Sequence, residues 1–249
     1  MTEKKFDKSG AVASDNNSIR PTSKTVRTKF SPPGGRSKVR KEQRRSVETR
    51  IAILESALEE FAEKGFEGAS TRSIGERAGL HFTLITYHFG NKDQLWRAVA
   101  EHYFGEITEL WNQTAPSSDG LAAIDQIRNE FRALLYFELD HPAFHSFMVR
   151  ESREASPHFE WLMETYISPV MHRLVPQIER AQKDGELPPG NPVLIHYMVI
   201  GIISIFGALG EEIRYNSGLD TSDPEVVNSY WTLIEQIVFK RRLFGVSGT

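Results

Sequence analysis

The residues best suited to chemistry form a short run of hydroxyl-bearing side chains near the end of the first third of the chain. At about 100° per residue, Ile85 and Phe89 fall on one face of a helix over 82–89. Thr83 and Tyr87 fall on the opposite face. That outward face is slim and nearly uncharged, which suits hydrogen bonding to base edges in the major groove of DNA. An ordinary helical hairpin with polar residues outside is the alternative.

Catalytic and metal-binding patterns are weak in this sequence. The chain has no Cys, which excludes thiol nucleophiles and thiolate metal sites. It has no Gly-rich phosphate loop, no Gly-x-Ser-x-Gly and no His-Glu-x-x-His. His141 and His145 have the spacing of a metal pair, but Pro142 lies between them and no further ligand is organised nearby. We therefore expect a protein without a metal site, cofactor or enzymatic activity. The alternative is a helical enzyme that uses buried histidines.

Helix signals around the hydroxyl run predict how it is held. Ser70 can cap a short helix that stops at Gly79, and a turn then leads into the helix over 82–89. Asn91 can cap a long helix over about 92–114. Two short helices joined by a tight turn are typical of a helix-turn-helix, here over about 70–89.

A further helix is predicted just before this motif. Ser46 is its expected N-cap, and apolar residues recur at helical spacing up to Phe61. Gly65 lies where a left-handed residue ends a helix, which would place Phe66 against Phe61.

Helical periodicity continues to the C-terminus, and no window alternates as a strand does. Asn191-Pro192 is one of three pairs in which a capping residue precedes Pro at the first helical position. Pro169 and Pro176 should kink or divide the segment that contains them. The fold class is therefore all-α, with body helices expected at 121–139, 143–154, 157–183, 192–215 and 224–243.

Charge is distributed unevenly along the chain. The net charge is -3, yet residues 1–50 hold 14 Lys/Arg against 5 Asp/Glu, a net +9. Residues 1–45 are rich in Lys, Arg, Ser, Gly and Pro, and we expect them to be a disordered basic arm. A basic arm on an acidic body suggests a polyanionic partner, and a merely solubilising tail is the alternative.

One stretch, Val193 to Gly210, is apolar enough to consider as a membrane span. It is only 18 residues long, contains His196, and lacks basic flanks. A helix buried on all sides explains it better. With no export signal at the N-terminus, we expect a cytoplasmic protein without membrane contact.

The region that holds these motifs resembles the tetracycline-repressor (TetR) family of regulators over about 60 residues. The resemblance is carried by the run from Glu48 through Gly68, by Ser70 to Ile74, by Ala78-Gly79-Leu80 and by Tyr87 to Leu95. It implies a three-helix DNA-binding domain over 46–112 and a helical ligand-binding and dimerisation domain over 117–249.

The resemblance also implies DNA contacts at matching positions. Thr71 and Arg72 would face DNA from the second helix. The third helix would read bases, although His81, Phe82 and Thr83 depart from the family pattern, so Phe82 either meets a thymine methyl or packs inward. The arm would follow phosphates or enter the minor groove. The predicted contacts are Arg44, Arg45, Arg50, Thr71, Arg72, Phe82, Thr83, Thr86, Tyr87, His88 and Lys92.

In the resembling family the C-terminal helices bind an effector and form the dimer. Helices 192–215 and 224–243 would form that homodimer here. The effector would be a small apolar or aromatic molecule. Its candidate contacts, most of them also compatible with plain core packing, are Phe137, His145, Phe147, Met148, Trp161, Met163, Tyr166, His172, His196 and Phe206.

Together these features predict a ligand-responsive transcriptional regulator, most simply a repressor. It would bind a palindromic double-stranded DNA operator as a dimer and be released by its effector. The alternative is a helical small-molecule-binding protein with a vestigial DNA-binding head, because the folded head between 51 and 110 is net acidic.

Overall fold

The computed structural model describes residues 35–114 and 120–239, and within them it contains helices and no strand. Most boundaries lie within a few residues of the predicted ones. The helices are α1 (Gly35–Gly68), α2 (Thr71–Arg77), α3 (Thr83–Phe89), α4 (Lys92–Thr114), α5 (Ala123–Asp140), α6 (Pro142–Glu151), α7 (Pro157–Leu162), a π-helical turn (Met163–Ile167), α8 (Ser168–Lys183), α9 (Pro192–Ala208), α10 (Gly210–Ser217) and α11 (Pro224–Val238).

Contacts divide the chain into two units, Met1–Glu42 and Gln43–Thr249. The described part of the first unit is the helical stretch 35–42. The second unit contains both the predicted DNA-binding domain and the predicted ligand-binding domain. The predicted boundary between those domains falls largely on residues 115–119, which lie outside the described residues.

The start of α1 corrects the predicted end of the basic arm. The helix begins at Gly35, so residues 35–45 are helical and Ser46 lies inside the helix instead of capping it. Arg, Lys, Glu and Gln are good helix formers. Arg44 also pairs with Glu48 one turn later, at 2.8 Å. The predicted disorder of residues 1–34 concerns positions outside the described residues.

Local capping in the head follows the predictions. Gly65 has φ 70°, which breaks the regular path of α1, and the Phe66 ring stacks near Phe61 with centroids 6.2 Å apart. Ser70 Oγ accepts a hydrogen bond from the Ser73 amide at 3.0 Å and so caps α2. These bonds fix the path of the chain into the helix-turn-helix.

The segment over 157–183 is divided, as the prolines predicted. Pro169 has no N–H to donate to a carbonyl of the preceding turn. The chain forms a π-helical turn at Met163–Ile167, and the Ser168 amide bonds to Met163 five residues back. Pro176 lies inside α8, which continues past it.

The predicted helix 192–215 is two helices, α9 and α10, which meet at a bend of 64°. The expectation that it is buried on all sides is wrong for the single chain. Val199 is fully buried, whereas Leu194 is 67% exposed and Ile205 is 50% exposed. Within the described residues, no helix by itself has both the length and the apolarity to cross a membrane, and α9 and α10 reach them only as a bent pair.

Helices α4 and α5 form the centre of the fold. Trp96 and Val99 of α4 are fully buried next to the head, and Ile107 is buried further along the same helix. Leu135 of α5 is also fully buried. Because α4 begins in the head and then packs against α5 in the body, it connects the two mechanically.

Candidate functional site

The turn of the helix-turn-helix depends on two glycines. Gly79 has φ 65°, a left-handed conformation that favours glycine. Gly75 is buried, and a Cβ added there would lie 3.0 Å from the Leu80 carbonyl oxygen and 3.2 Å from the Cα of Phe82. Sequence reasoning missed Gly75, although a glycine inside a seven-residue helix signals close backbone approach. This approach sets the position of α3 against α2.

Helix α3 has the two faces that the helical wheel predicted. Ile85 and Phe89 are 1% and 6% exposed and anchor the helix in the core. Thr83 and Thr86 are exposed, and Tyr87 is 81% exposed. An uncharged row of hydroxyl groups therefore faces outward from a firmly packed helix.

The residues that depart from the family pattern lie at the start of α3. Phe82 is 45% exposed, so its ring is available at the surface, and it lies 4.7 Å from the His81 ring. His81 Nδ1 lies 2.9 Å from Thr83 Oγ1 and holds the first turn of α3. Contact of Phe82 with a thymine methyl stays a prediction.

Basic residues adjoin this face. The Arg50 guanidinium lies 4.3 Å from the centre of the Phe89 ring. Burial lowers the pKa of His88, and the charge of Arg50 lowers it further, so the imidazole is neutral at pH 7 and can donate a hydrogen bond. Arg72 is exposed and pairs with Glu76 at 3.1 Å, a surface pair that a phosphate can replace.

The remaining predicted DNA contacts differ in exposure and in their bonds within the protein. Arg45 is exposed, and Thr71 is half-buried at the start of α2. Lys92 has a structural role: its ammonium donates to the carbonyls of Phe66 at 2.7 Å and Ala69 at 3.1 Å. These bonds tie α4 to the end of α1, so Lys92 is the weakest of the predicted phosphate contacts.

Three acidic residues of α1 form ion pairs with Arg77 and Lys64 within the fold. Arg77 of α2 pairs with Glu59 at 3.0 Å and with Glu63 at 2.6 Å. Glu60 is completely buried, and Lys64 bonds to it at 2.8 Å. Burial opposes ionisation, but the hydrogen bond from Lys64 contributes to outweighing it, and the pKa of Glu60 lies below its usual value. These carboxylates join α1 to α2 and do not extend onto α3.

Comparison with known proteins identifies this head. Residues 53–99 match the family model described as bacterial regulatory proteins, tetR family. This part of the chain is therefore similar to the N-terminal region of the TetR-family regulators. It is similar to the HTH-type transcriptional repressor Rv3405c of Mycobacterium tuberculosis, at 38% identity over 79 residues. That match covers 32% of this chain and 42% of the relative, so it spans less than half of the relative's length.

Two solved structures share the fold of this chain over most of its length. The ketosteroid transcriptional regulator KstR2 of Mycobacterium tuberculosis is 18% identical, with a TM-score of 0.60, covering 77% of this chain and 95% of that one. AibR, solved with isovaleryl coenzyme A and operator DNA, is 14% identical, with a TM-score of 0.57, covering 77% of this chain and 98% of that one.

The body of the chain contains a cavity of about 500 Å³ among α4–α9. Its size is in the range of small-molecule sites, and its walls are mostly apolar. The lining consists of Phe104, Ile107, Trp111, Glu130, Phe131, Leu134, Glu138, Phe144, His145, Met148, Val149, Ser152, Phe159, Met163, Ile167, Val170, Leu174, His196, Tyr197 and Ile200.

Some predicted effector contacts line this cavity and others do not. His145, Met148, Met163 and His196 line it. The others pack elsewhere or face outward: Phe137 against Phe144, Phe147 and Trp161 against Trp96, Tyr166 against Phe104, Phe206 against Tyr230, and His172 at the surface.

Polar groups in the cavity are few and buried. Glu130 Oε2 lies 3.2 Å from Arg173 Nη2. Burial raises the pKa of Glu130 to about 7, although the Arg173 charge opposes this, and burial likewise raises the pKa of Glu138 to about 7. Burial lowers the pKa of His196 to about 4 and also lowers that of His145. Sequence reasoning missed both glutamates.

The end of α6 joins the cavity wall to the head. Arg150 donates from Nε to the Ala62 carbonyl at 3.1 Å and from Nη2 to the Glu63 carbonyl, near the end of α1. Glu151 accepts a bond from Trp96 Nε1 of α4 at 3.4 Å. The neighbouring residues of α6 line the cavity, so one short helix contacts both the cavity and the head.

A second link comes from α7. His158 Nε2 lies 2.9 Å from Asp93 Oδ1 near the start of α4, and its ring lies 4.1 Å from that of Phe66. The adjacent Phe159 lines the cavity. Sequence reasoning could not find the links through α6 and α7, because the partners are 55 or more residues apart.

The suspected metal pair is not assembled. His141 Nε2 lies 3.2 Å from Glu106, which also lies 3.3 Å from His102. His145 instead lines the cavity. Within the described residues, no group of three His, Asp or Glu side chains has the arrangement of a metal site.

Proposed function

We propose that this protein is a TetR-family transcriptional repressor that binds a palindromic operator as a dimer and is released by a small molecule in the body cavity. The observation that carries the proposal is the outward face of α3, where Thr83, Thr86 and Tyr87 stand exposed over the buried Ile85 and Phe89. A rigid, slim helix with hydroxyl groups outward suits the major groove.

Two further features support DNA binding. The acidic residues of α1 favoured a vestigial head in the sequence, but Arg77 and Lys64 hold three of them between α1 and α2, and these three do not extend onto α3. Arg50 and His88 adjoin the α3 face and can hold the phosphate backbone. We therefore favour the repressor over the vestigial head.

The dimer would form through the exposed apolar faces of α9 and α11. Leu194 and Ile205 of α9 are 67% and 50% exposed, and Leu233 and Ile237 of α11 are 53% and 78% exposed. Apolar side chains concentrated on one face of a soluble fold mark an interaction surface. A two-fold dimer would set two α3 helices about one DNA turn (~34 Å) apart.

The cavity would hold the effector, and α6 and α7 would transmit its binding. AibR was solved with isovaleryl coenzyme A and operator DNA, and the shared fold supports the same pair of tasks here with a different ligand. A ligand that moves α6 would shift Arg150 and Glu151, which hold α1 and α4. The ligand lowers operator affinity by preferring the conformation in which the two heads no longer match the DNA spacing.

The test uses the double variant Arg72→Ala, Tyr87→Ala. The operator is first selected from randomised DNA with the wild-type protein, and affinity is then measured by fluorescence anisotropy. We expect at least about a 100-fold decrease in operator affinity, because each base or phosphate contact contributes about 1–3 kcal/mol.

The control is Arg153→Ala, which removes an exposed arginine of the body outside the helices proposed for the dimer. It should bind the operator as the wild type does. Wild-type operator affinity in a folded Arg72→Ala, Tyr87→Ala protein would exclude the proposed recognition face.

A further inference from the structure

The cavity carries an unbalanced set of ionisable groups. Its lining includes two carboxyl groups, Glu130 and Glu138, and two imidazoles, His145 and His196. Among the lining residues that the structure describes, none is Lys or Arg. Because both histidines are kept neutral by burial, neither supplies positive charge to the carboxylates.

The two glutamates are not equivalent. Glu130 is 3% exposed and has a counter-charge, the Arg173 guanidinium, 3.2 Å away, although these two atoms do not form a hydrogen bond and burial still raises the pKa of Glu130 to about 7. Glu138 is 8% exposed, it has no such ion-pair partner among the described residues, and its Oε2 atom has no hydrogen-bond partner there. A buried carboxyl group without a partner is costly unless something else compensates it.

Other unpaired polar atoms in and near the cavity are of the same kind. His196 is 5% exposed, and its Nδ1 atom has no hydrogen-bond partner within the described part of the chain. Ser204 is 3% exposed, and its hydroxyl lies close enough to Glu138 to oppose the rise in the pKa of that carboxyl group. The Ser204 hydroxyl and Glu138 Oε2 nevertheless have no hydrogen-bond partner among the described residues. These groups can accept hydrogen bonds from a ligand without adding a positive charge. The cavity is therefore apolar, rich in acceptors, and supplied with one uncompensated acid.

We propose that the cavity binds a lipophilic amine, with its protonated nitrogen against Glu138 and its apolar body among the aromatic side chains. This rests on the proposed function, in which the cavity is the effector site. An ammonium group supplies both the charge and the N–H donors that Glu138 lacks. The rings of Phe104, Trp111 and Phe131 offer apolar area to the body of the ligand. A carboxylate or phosphate ligand would instead add a second buried negative charge.

The experiment compares three probes with one apolar body: 6-phenylhexylamine, 6-phenylhexanol and 6-phenylhexanoate. Affinities for the full-length protein are measured by isothermal titration calorimetry at pH 8. We expect the amine to bind at least about tenfold more tightly than the alcohol, and the carboxylate to bind most weakly, since a charge-assisted hydrogen bond exceeds a neutral one.

The decisive variant is Glu138→Gln, which keeps the shape and removes the charge. It should bring the amine and the alcohol to similar affinities while leaving alcohol binding intact, which also shows that the cavity has kept its fold. Glu179→Gln, at an exposed position of α8, should keep the wild-type ratio. An unchanged amine preference in Glu138→Gln, tightest binding of the carboxylate, or no binding of the amine would each overturn the proposal.

Operator release separates this proposal from the proposed function. Amine binding at Glu138 without release of the operator would sustain the amine site and refute its role as the effector site. Release by the alcohol or the carboxylate, but not by the amine, would sustain the effector site and refute the ligand class.

Discussion

The unpartnered carboxyl group of Glu138 should make the stability of the folded protein depend on pH. Burial raises the pKa of Glu138 to about 7 from its ordinary value of 4.5. Between these values the folded protein retains a proton that the unfolded chain has released. The contribution of Glu138 to stability is therefore fully present below about pH 4.5 and falls as pH rises through 7.

The size of the effect follows from the two pKa values of Glu138. Their difference of roughly 2.5 corresponds to about 3 kcal/mol, since one pKa unit is about 1.36 kcal/mol. Glu138→Gln removes the ionisation, so its free energy of unfolding should exceed that of the wild type by up to about 3 kcal/mol at pH 8. At pH 5 the two should be close. For a chain of this length, the gap at pH 8 corresponds to a rise in Tm of about 6–12 °C.

Thermal unfolding followed by circular dichroism, from pH 5 to pH 8 at constant ionic strength and without ligand, provides the assay. Glu130 and His196 titrate in the wild type and the variant alike, so their contributions cancel in the difference. Glu179→Gln is the control and should follow the wild type throughout. A Tm difference between Glu138→Gln and wild type that does not grow from pH 5 to pH 8 would refute the reasoning.

Three further predictions concern the dimer, the link to the head and the basic residues of α1. Ile237→Glu should convert the dimer to a monomer, as measured by size-exclusion chromatography with light scattering, because it places a charge in an apolar interface. The control Leu219→Glu should stay dimeric, and a dimeric Ile237→Glu protein would contradict the proposed interface. Arg150→Gln removes the hydrogen bonds to the carbonyls near the end of α1 and should weaken the effect of a bound ligand on operator affinity several-fold. Operator affinity is measured by fluorescence anisotropy with and without ligand, and a ligand effect as large as that of the wild type would contradict transmission through Arg150. Replacing Arg44 and Arg45 by Gln should reduce the slope of log K against log salt by up to about 0.9 for each DNA phosphate that these arginines neutralise, and an unchanged slope would show that they neutralise none.

The head could be predicted from the sequence because its signals are local. Ser70 caps a helix three residues away, and Gly65 and Gly79 end helices through their own backbone conformation. The alternation of buried Ile85 and Phe89 with exposed Tyr87 follows from helical periodicity alone. Where the prediction failed, at the start of α1, two local signals competed: the helix propensity of the basic and acidic neighbours of Ser46 outweighed its capping tendency.

The sequence contained a pattern that indicates burial of Glu130 and Glu138, but the predicted effector contacts did not include them. Glu130 follows Ile127 by three residues, and Glu138 follows Leu134 by four, so both share the apolar face of α5. Glutamate is seldom fully buried, and the aromatic and histidine residues were chosen ahead of it. An acidic residue on an apolar helical face indicates a buried site when no partner for it is evident nearby.

The sequence by itself determined the helical class, the buried and exposed faces of α3 and most helix ends, since each depends on residues within a turn or two of one another. Tertiary structure alone decided which side chains line the cavity, that Glu130 meets Arg173 while Glu138 meets no counter-charge within the described residues, and that Arg150 reaches the end of α1. Those contacts join residues 43 to 88 positions apart. Helical periodicity tells which way a side chain points from its own axis, and only the packing of one helix on another tells what it meets there.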